Sequence, residues 1–63
     1  MNALIVEDEK MARESLARTV SANFPDITVV GMTASVQETL AWLRDTSNKA
    51  DIIFMDVELS DGD

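Results

Sequence analysis

Two acidic clusters hold the residues of this chain that could do chemistry: Glu7-Asp8-Glu9, and Asp56, Glu58, Asp61 and Asp63. Each follows an apolar run, Ala3-Leu4-Ile5-Val6 in the first case and Ile52-Ile53-Phe54-Met55 in the second. Together they contain seven of the twelve acids. Carboxylates gathered at one point repel one another unless a cation joins them. With His and Cys both absent, the available donors are hard oxygens, which suit a hard divalent cation such as Mg2+.

The apolar runs must position those acids. Ile52 to Met55 is short, β-branched and aromatic, and it predicts a strand buried on both faces, as inside a parallel sheet. Asp56 then stands at its carboxyl end, where open α/β sheets place their ligands. Ala3 to Val6 predicts a central first strand, with Glu7, Asp8 and Glu9 following it. These acids also suit a helix N-terminus, where negative charge meets the positive end of the dipole and Asp can cap. From about Lys10 to Asn23, Ala12, Leu16 and Val20 recur every four residues, with Met11 and Ala17 widening the stripe. That pattern predicts an amphipathic helix, ended by Phe24-Pro25-Asp26 because Pro25 disfavours helical geometry before it.

Ile27-Thr28-Val29-Val30 predicts a second strand at a sheet edge, closed by Gly31. Ser35-Val36-Gln37-Glu38 has the form of a capping box, and Val36, Leu40 and Leu43 form the apolar stripe of a second helix from about Val36 to Arg44. Trp42 lies off that stripe, against its edge or a neighbouring surface. Arg13, Arg18 and Arg44 read as solvated helix faces, and the Met residues and Trp42 as packing residues. The order βαβαβ implies an α/β fold with a parallel sheet and right-handed crossovers. Of the two connectivities open to it, strand order 2-1-3 puts one helix on each face and brings Glu7, Asp8 and Asp56 to one switch point.

Composition bounds the function. A chain of 63 residues with net charge −7 is at most one small domain, and burying only about 60% of its unfolded surface makes it marginal when alone. Acidity argues against nucleic acid as a partner of this segment, which would require a basic patch. The apolar runs are too short to span a bilayer, and no basic leader precedes the first. A cytoplasmic, soluble chain without membrane partners is the expectation.

These residues resemble the receiver domains of two-component response regulators. Leu4-Ile5-Val6-Glu7-Asp8-Glu9 resembles the first strand and acid pair, and Ile52 to Leu59 resembles the third strand with its phosphoacceptor. The spacing, the two helical patterns between them and Asp61-Gly62 agree with it, and the resemblance covers residues 1–63. It implies the first half of a flavodoxin-like doubly wound fold. Asp56 would be the phosphoacceptor for a histidine kinase, in a signalling domain rather than an enzyme. Glu7, through water, with Asp8, Asp56 and the backbone carbonyl of Glu58 would hold Mg2+. Phosphoryl transfer needs such an in-line oxygen nucleophile and a cation to neutralise the equatorial oxygens. Relatives with this style of N-terminus often carry a DNA-binding output of the LytTR type, which these residues do not encode.

The departures are also informative. Ser60 replaces a Pro often found there in the family, and the family's fourth and fifth strands, with their switch Thr or Ser and their Lys, are absent. The expectation is therefore a partial receiver domain over 1–63 with impaired phosphotransfer, whose third strand pairs in a homo-oligomer or with a strand-swapped partner. Three alternatives remain. Asp56-Val57-Glu58-Leu59-Ser60 resembles the D-x-D-x-T/S motif of haloacid-dehalogenase-type phosphatases. Glu7 with later acids is similar to a Toprim-type metal site. The third is a self-associating scaffold without phosphotransfer.

Overall fold

The computed structural model describes residues 1–55, which form β1 (Asn2–Val6), α1 (Lys10–Asn23), β2 (Thr28–Thr33), α2 (Val36–Arg44) and β3 (Ile52–Met55). The sheet is parallel, with order β2-β1-β3. This is the α/β, βαβαβ arrangement with strand order 2-1-3 that the charge clustering predicts, matching half of a flavodoxin-like fold. No helix among the described residues is long and apolar enough to cross a membrane.

β1 is the centre of the molecule. Ala3, Leu4, Ile5 and Val6 are all fully buried, because a central strand covered on both faces has no solvent side. One face carries Leu4 and Val6, against which Val36 and Trp42 of α2 and Ala50 pack. The α1 stripe predicted from Ala12, Leu16 and Val20 is half-buried to buried, with Ala17 beside it and Val20 only 2% exposed. Met11 departs from expectation at 75% exposed, although Ala12 and Arg13 in the same turn are half-buried.

β2 also departs from the reading of the sequence. It begins one residue later than expected and runs through Gly31 to Thr33, with a register shift opposite Ala3 and Leu4 that leaves Val30 without a β1 partner. Such a bulge re-aims the residues that follow it. Gly31 then pairs with Leu4, and Thr33 with Val6. Gly31 does not serve backbone freedom, for no glycine described has a positive φ. It serves space. A Cβ at Gly31 would lie 2.7 Å from Trp42 Nε1 and 2.8 Å from Cε2, so the indole rests on bare backbone. Gly31→Ala therefore displaces the ring and costs about 1–3 kcal/mol. Urea unfolding followed by Trp42 emission, the single tryptophan of the chain, should show a lower midpoint with a shifted native spectrum.

The inward face of α2 is Val36, Thr39 and Trp42, rather than Val36, Leu40 and Leu43. Leu40 and Leu43 are 49% and 45% exposed. The helix is rotated by the hydroxyl pair Thr33 and Thr39, whose Oγ1 atoms lie 2.6 Å apart in the core, with Thr39 Oγ1 also donating to Ser35 O at 2.8 Å. A buried hydroxyl needs these bonds, and the bonds fix the helix rotation. The capping residues predicted at its start are in place. Ser35 Oγ accepts from Glu38 N at 3.0 Å, and Glu38 Oε1 reaches back to Ala34 N at 3.4 Å. Beyond its end, Asp45 accepts from Ser47 Oγ and Ser47 N, which holds its carboxyl below the usual range. Asn48 Nδ2 meanwhile donates to Trp42 O.

β3 is tied to β1 at its start by Asp51, whose N donates to Asn2 O and whose Oδ2 accepts from Asn2 N, both at 2.8 Å. Its expected burial on both faces is not what the described residues show. Ile52 and Phe54 are half-buried, while Ile53 and Met55 are 40% and 50% exposed. Two-sided burial requires a further strand or helix, and none among the described residues lies beyond β3.

Candidate functional site

The site grows from the carboxyl ends of β1 and β3. Val6 pairs with Met55 in the parallel register, so Glu7 leaves one strand beside the residue that precedes Asp56. The parallel direction is decisive here, because an antiparallel partner would carry Met55 to the opposite end of β1. Asp56 and Glu58 themselves lie outside the described residues, as do Asp61 and Asp63. Of the acids expected to meet, Glu7 and Asp8 are therefore adjacent at the sheet end, and Asp56 follows the strand that pairs beside them. Among the described residues no group of three or more His, Cys, Asp or Glu side chains comes together as a metal centre.

Glu7 is the most tightly held residue of the loop. Its N donates to Thr33 O at 3.0 Å, continuing the β1–β2 ladder one step past Val6. Its carbonyl accepts from Arg13 Nη1 at 2.9 Å, and its Oε1 accepts from Glu9 N at 3.1 Å. Arg13 in turn donates its own N to Glu9 O at 2.8 Å. Glu7 is half-buried, whereas Asp8 and Glu9 are exposed.

The acids do not act as helix caps. Glu9 occupies the N-cap position of α1 with extended φ and ψ and makes no side-chain cap bond, and the first turn contains no acid. Glu9 therefore does not cap α1 through its side chain, while Glu7, Asp8 and Glu9 still place negative charge before its N-terminus. Asp8 is exposed, and among the described residues its carboxylate accepts no hydrogen bond. Glu7 and Asp8 thus offer hard oxygen donors at a sheet end, the donor type that Mg2+ takes.

Arg13 is the residue that sequence reasoning missed. Placed among the solvated arginines by its position between apolar stripe residues, it is half-buried, with its guanidinium folded over the loop onto Glu7 O. No periodicity flags such a contact, because it joins a helix to the strand before it. The absence of a good capping residue at Glu9 was the available signal: an uncapped helix start leaves loop polar groups in need of another partner.

No family model matches the chain, and no solved structure gives a significant match. The chain is 41% identical over 61 residues to a protein of Enterococcus faecalis described as "Sensory transduction protein LytT". The aligned region covers 97% of this chain but 24% of that relative, so the chain spans about a quarter of its length. By this sequence match together with its β1-α1-β2-α2-β3 order and β2-β1-β3 sheet, the chain is a receiver-domain-like N-terminal segment of the response-regulator family.

Proposed function

We propose that this segment is the phosphoacceptor side of a receiver domain, with Asp56 as the residue that takes a phosphoryl group from a histidine kinase in the cytoplasm. The observation that carries the reading is the parallel pairing of Val6 with Met55, which brings the uncapped acid loop and the approach to Asp56 to the same end of the sheet. Glu7 and Asp8, with Asp56 and the backbone carbonyl of Glu58, would hold Mg2+. When bound, that ion neutralises charge on the phosphoryl oxygens. An Asp56 carboxylate oxygen attacks phosphorus in line, the P–N bond to the donor imidazole breaks, and the imidazole leaves with the bond's electron pair. Asp56 acts as an acceptor in signalling and not as an enzyme turning over a separate substrate. In this reading residues 1–63 are the first part of a receiver domain.

A second reading, self-association without phosphotransfer, is favoured by one specific observation. Ile53 and Met55 pair with Leu4 and Val6 and so share the face covered by α2, where Leu40 and Leu43 are also exposed. Ile53 and Met55 thus leave apolar surface on a strand at the sheet edge.

One experiment separates the two. Beryllofluoride mimics a phosphoryl group on an ionised Asp, and its binding can be followed by fluorine NMR while light scattering reports mass. The phosphoacceptor reading predicts binding that requires Mg2+ and is abolished by Asp56→Asn. Assembly that is indifferent to Mg2+, beryllofluoride and Asp56→Asn would support the association reading in its place.

A further inference from the structure

Arg13 makes a contact that its position on α1 does not require. Its guanidinium Nη1 reaches back past the helix start to Glu7 O at 2.9 Å, in a half-buried setting. That carbonyl belongs to the peptide unit joining Glu7 to Asp8. A peptide unit is planar, so holding its oxygen also fixes the direction of the Asp8 N–H and the angle at which Asp8 leaves the strand. The other end of the Glu7 residue is fixed independently, by Glu7 N donating to Thr33 O at 3.0 Å.

Glu9 at the N-cap makes no side-chain cap bond, and the bond from Glu9 N to Glu7 Oε1 at 3.1 Å is internal to the loop. Arg13 ties this loop to α1 twice, through its backbone N on Glu9 O and through its side chain on Glu7 O. A side chain that serves only solubility would project into water instead of spending its charge on a main-chain carbonyl.

We infer that Arg13 is a positioning residue for the acid pair: by holding the Glu7–Asp8 peptide plane it presets the Asp8 carboxylate for a divalent cation. This deepens, and rests on, the reading of Glu7 and Asp8 as Mg2+ donors. Groups of this kind, which hold a ligand without touching the ion, typically contribute about 10–100-fold in metal affinity.

The sign of the effect makes the inference testable. If Arg13 acted only through its charge, removing a cation beside the acid pair would tighten Mg2+ binding, because like charges repel. Positioning predicts the opposite. Arg13→Met keeps most of the aliphatic stem and removes both the donor and the charge. Its Mg2+ affinity, measured by calorimetry on the chain, should fall by about tenfold or more, with the Asp8 amide signal displaced in the metal-free NMR spectrum. Arg13→Lys keeps a donor and the charge, and should recover most of the affinity. Tighter binding by Arg13→Met, or unchanged binding with an unmoved Asp8 amide, overturns the inference. An Arg13→Met chain that is unfolded beside an Arg13→Lys chain that folds but binds as weakly as Asp8→Asn overturns it as well. Asp8→Asn in the same titration keeps the two readings apart: if it binds Mg2+ as the wild type does, the donor assignment fails, whatever Arg13 does.

Discussion

Leu4→Ala should remove most of the folded population, seen as a collapse of the cooperative urea transition followed through Trp42. Leu4 is fully buried and packs in the cluster with Val6, Val36, Trp42 and Ala50. Its backbone pairs with Gly31 on one side and Ile53 on the other. Truncating a leucine in such a place costs about 2–5 kcal/mol, the lost transfer energy plus the cavity left behind. Even a well-built domain has only about 5–15 kcal/mol of stability, and a chain this short stands at the low end. The lost contacts fall on the cluster of Val6, Val36, Trp42 and Ala50, whose indole is already held against Gly31. Leu43→Ala is the control. At 45% exposed it should shift the midpoint far less, and equal effects at the two positions would mean that β1 is not the core.

That asymmetry was only partly legible in the sequence. The unbroken apolar runs at Ala3 to Val6 and Ile52 to Met55 announced strands, and the four-residue recurrence of Ala12, Leu16 and Val20 announced a helix whose bounds the structure repeats. Strand order came from charge: only the 2-1-3 arrangement brings the strand ends that carry the acids together. What pattern could not supply was the rotation of α2. Hydrophobicity favoured Leu40 and Leu43 as the inward positions, but the helix turns on a polar contact, the Thr33–Thr39 hydroxyl pair. A threonine's readiness to be buried depends on a partner from another element, which a single helix's periodicity does not contain. The same holds for Gly31, which reads as a strand terminator yet lies inside β2 because Trp42 occupies the space a side chain would need.

At the candidate site the residue types were legible and the tether was not. Glu7 and Asp8 stood out because hard donors followed an apolar run without His or Cys nearby. Arg13 did not, because a guanidinium bonded to a main-chain carbonyl six residues earlier leaves no trace in composition or spacing. Such contacts decide how well a loop is preorganised, and they follow from the packing of α1 on β1 rather than from either element alone.

Asp8→Asn and Glu58→Gln should differ sharply in Mg2+ binding, although each removes one negative charge from an acidic cluster. Under the proposed receiver chemistry Asp8 is a direct carboxylate donor, and Glu58 contributes only its backbone carbonyl. Replacing an anionic oxygen by a neutral amide at a hard-cation site removes both charge attraction and donor strength. The loss should be at least as large as the 10–100-fold typical of residues acting one step away from a metal. Glu58→Gln leaves the main-chain oxygen in place and should change affinity by no more than screening of a nearby charge allows, about a fewfold at physiological ionic strength. Calorimetric Mg2+ titration of both variants, with far-UV circular dichroism to verify the fold, reads the contrast directly. A haloacid-dehalogenase-type site makes the opposite demand at position 58, since there the second acid of Asp56-Val57-Glu58 works through its side chain. Loss of beryllofluoride uptake in Glu58→Gln, with Mg2+ binding intact in Asp8→Asn, would move the chemistry from the β1 loop to the segment after β3. Parallel pairing explains why the β1 loop should dominate: Val6 and Met55 end side by side, and Asp8 is the exposed acid whose oxygens no described residue occupies.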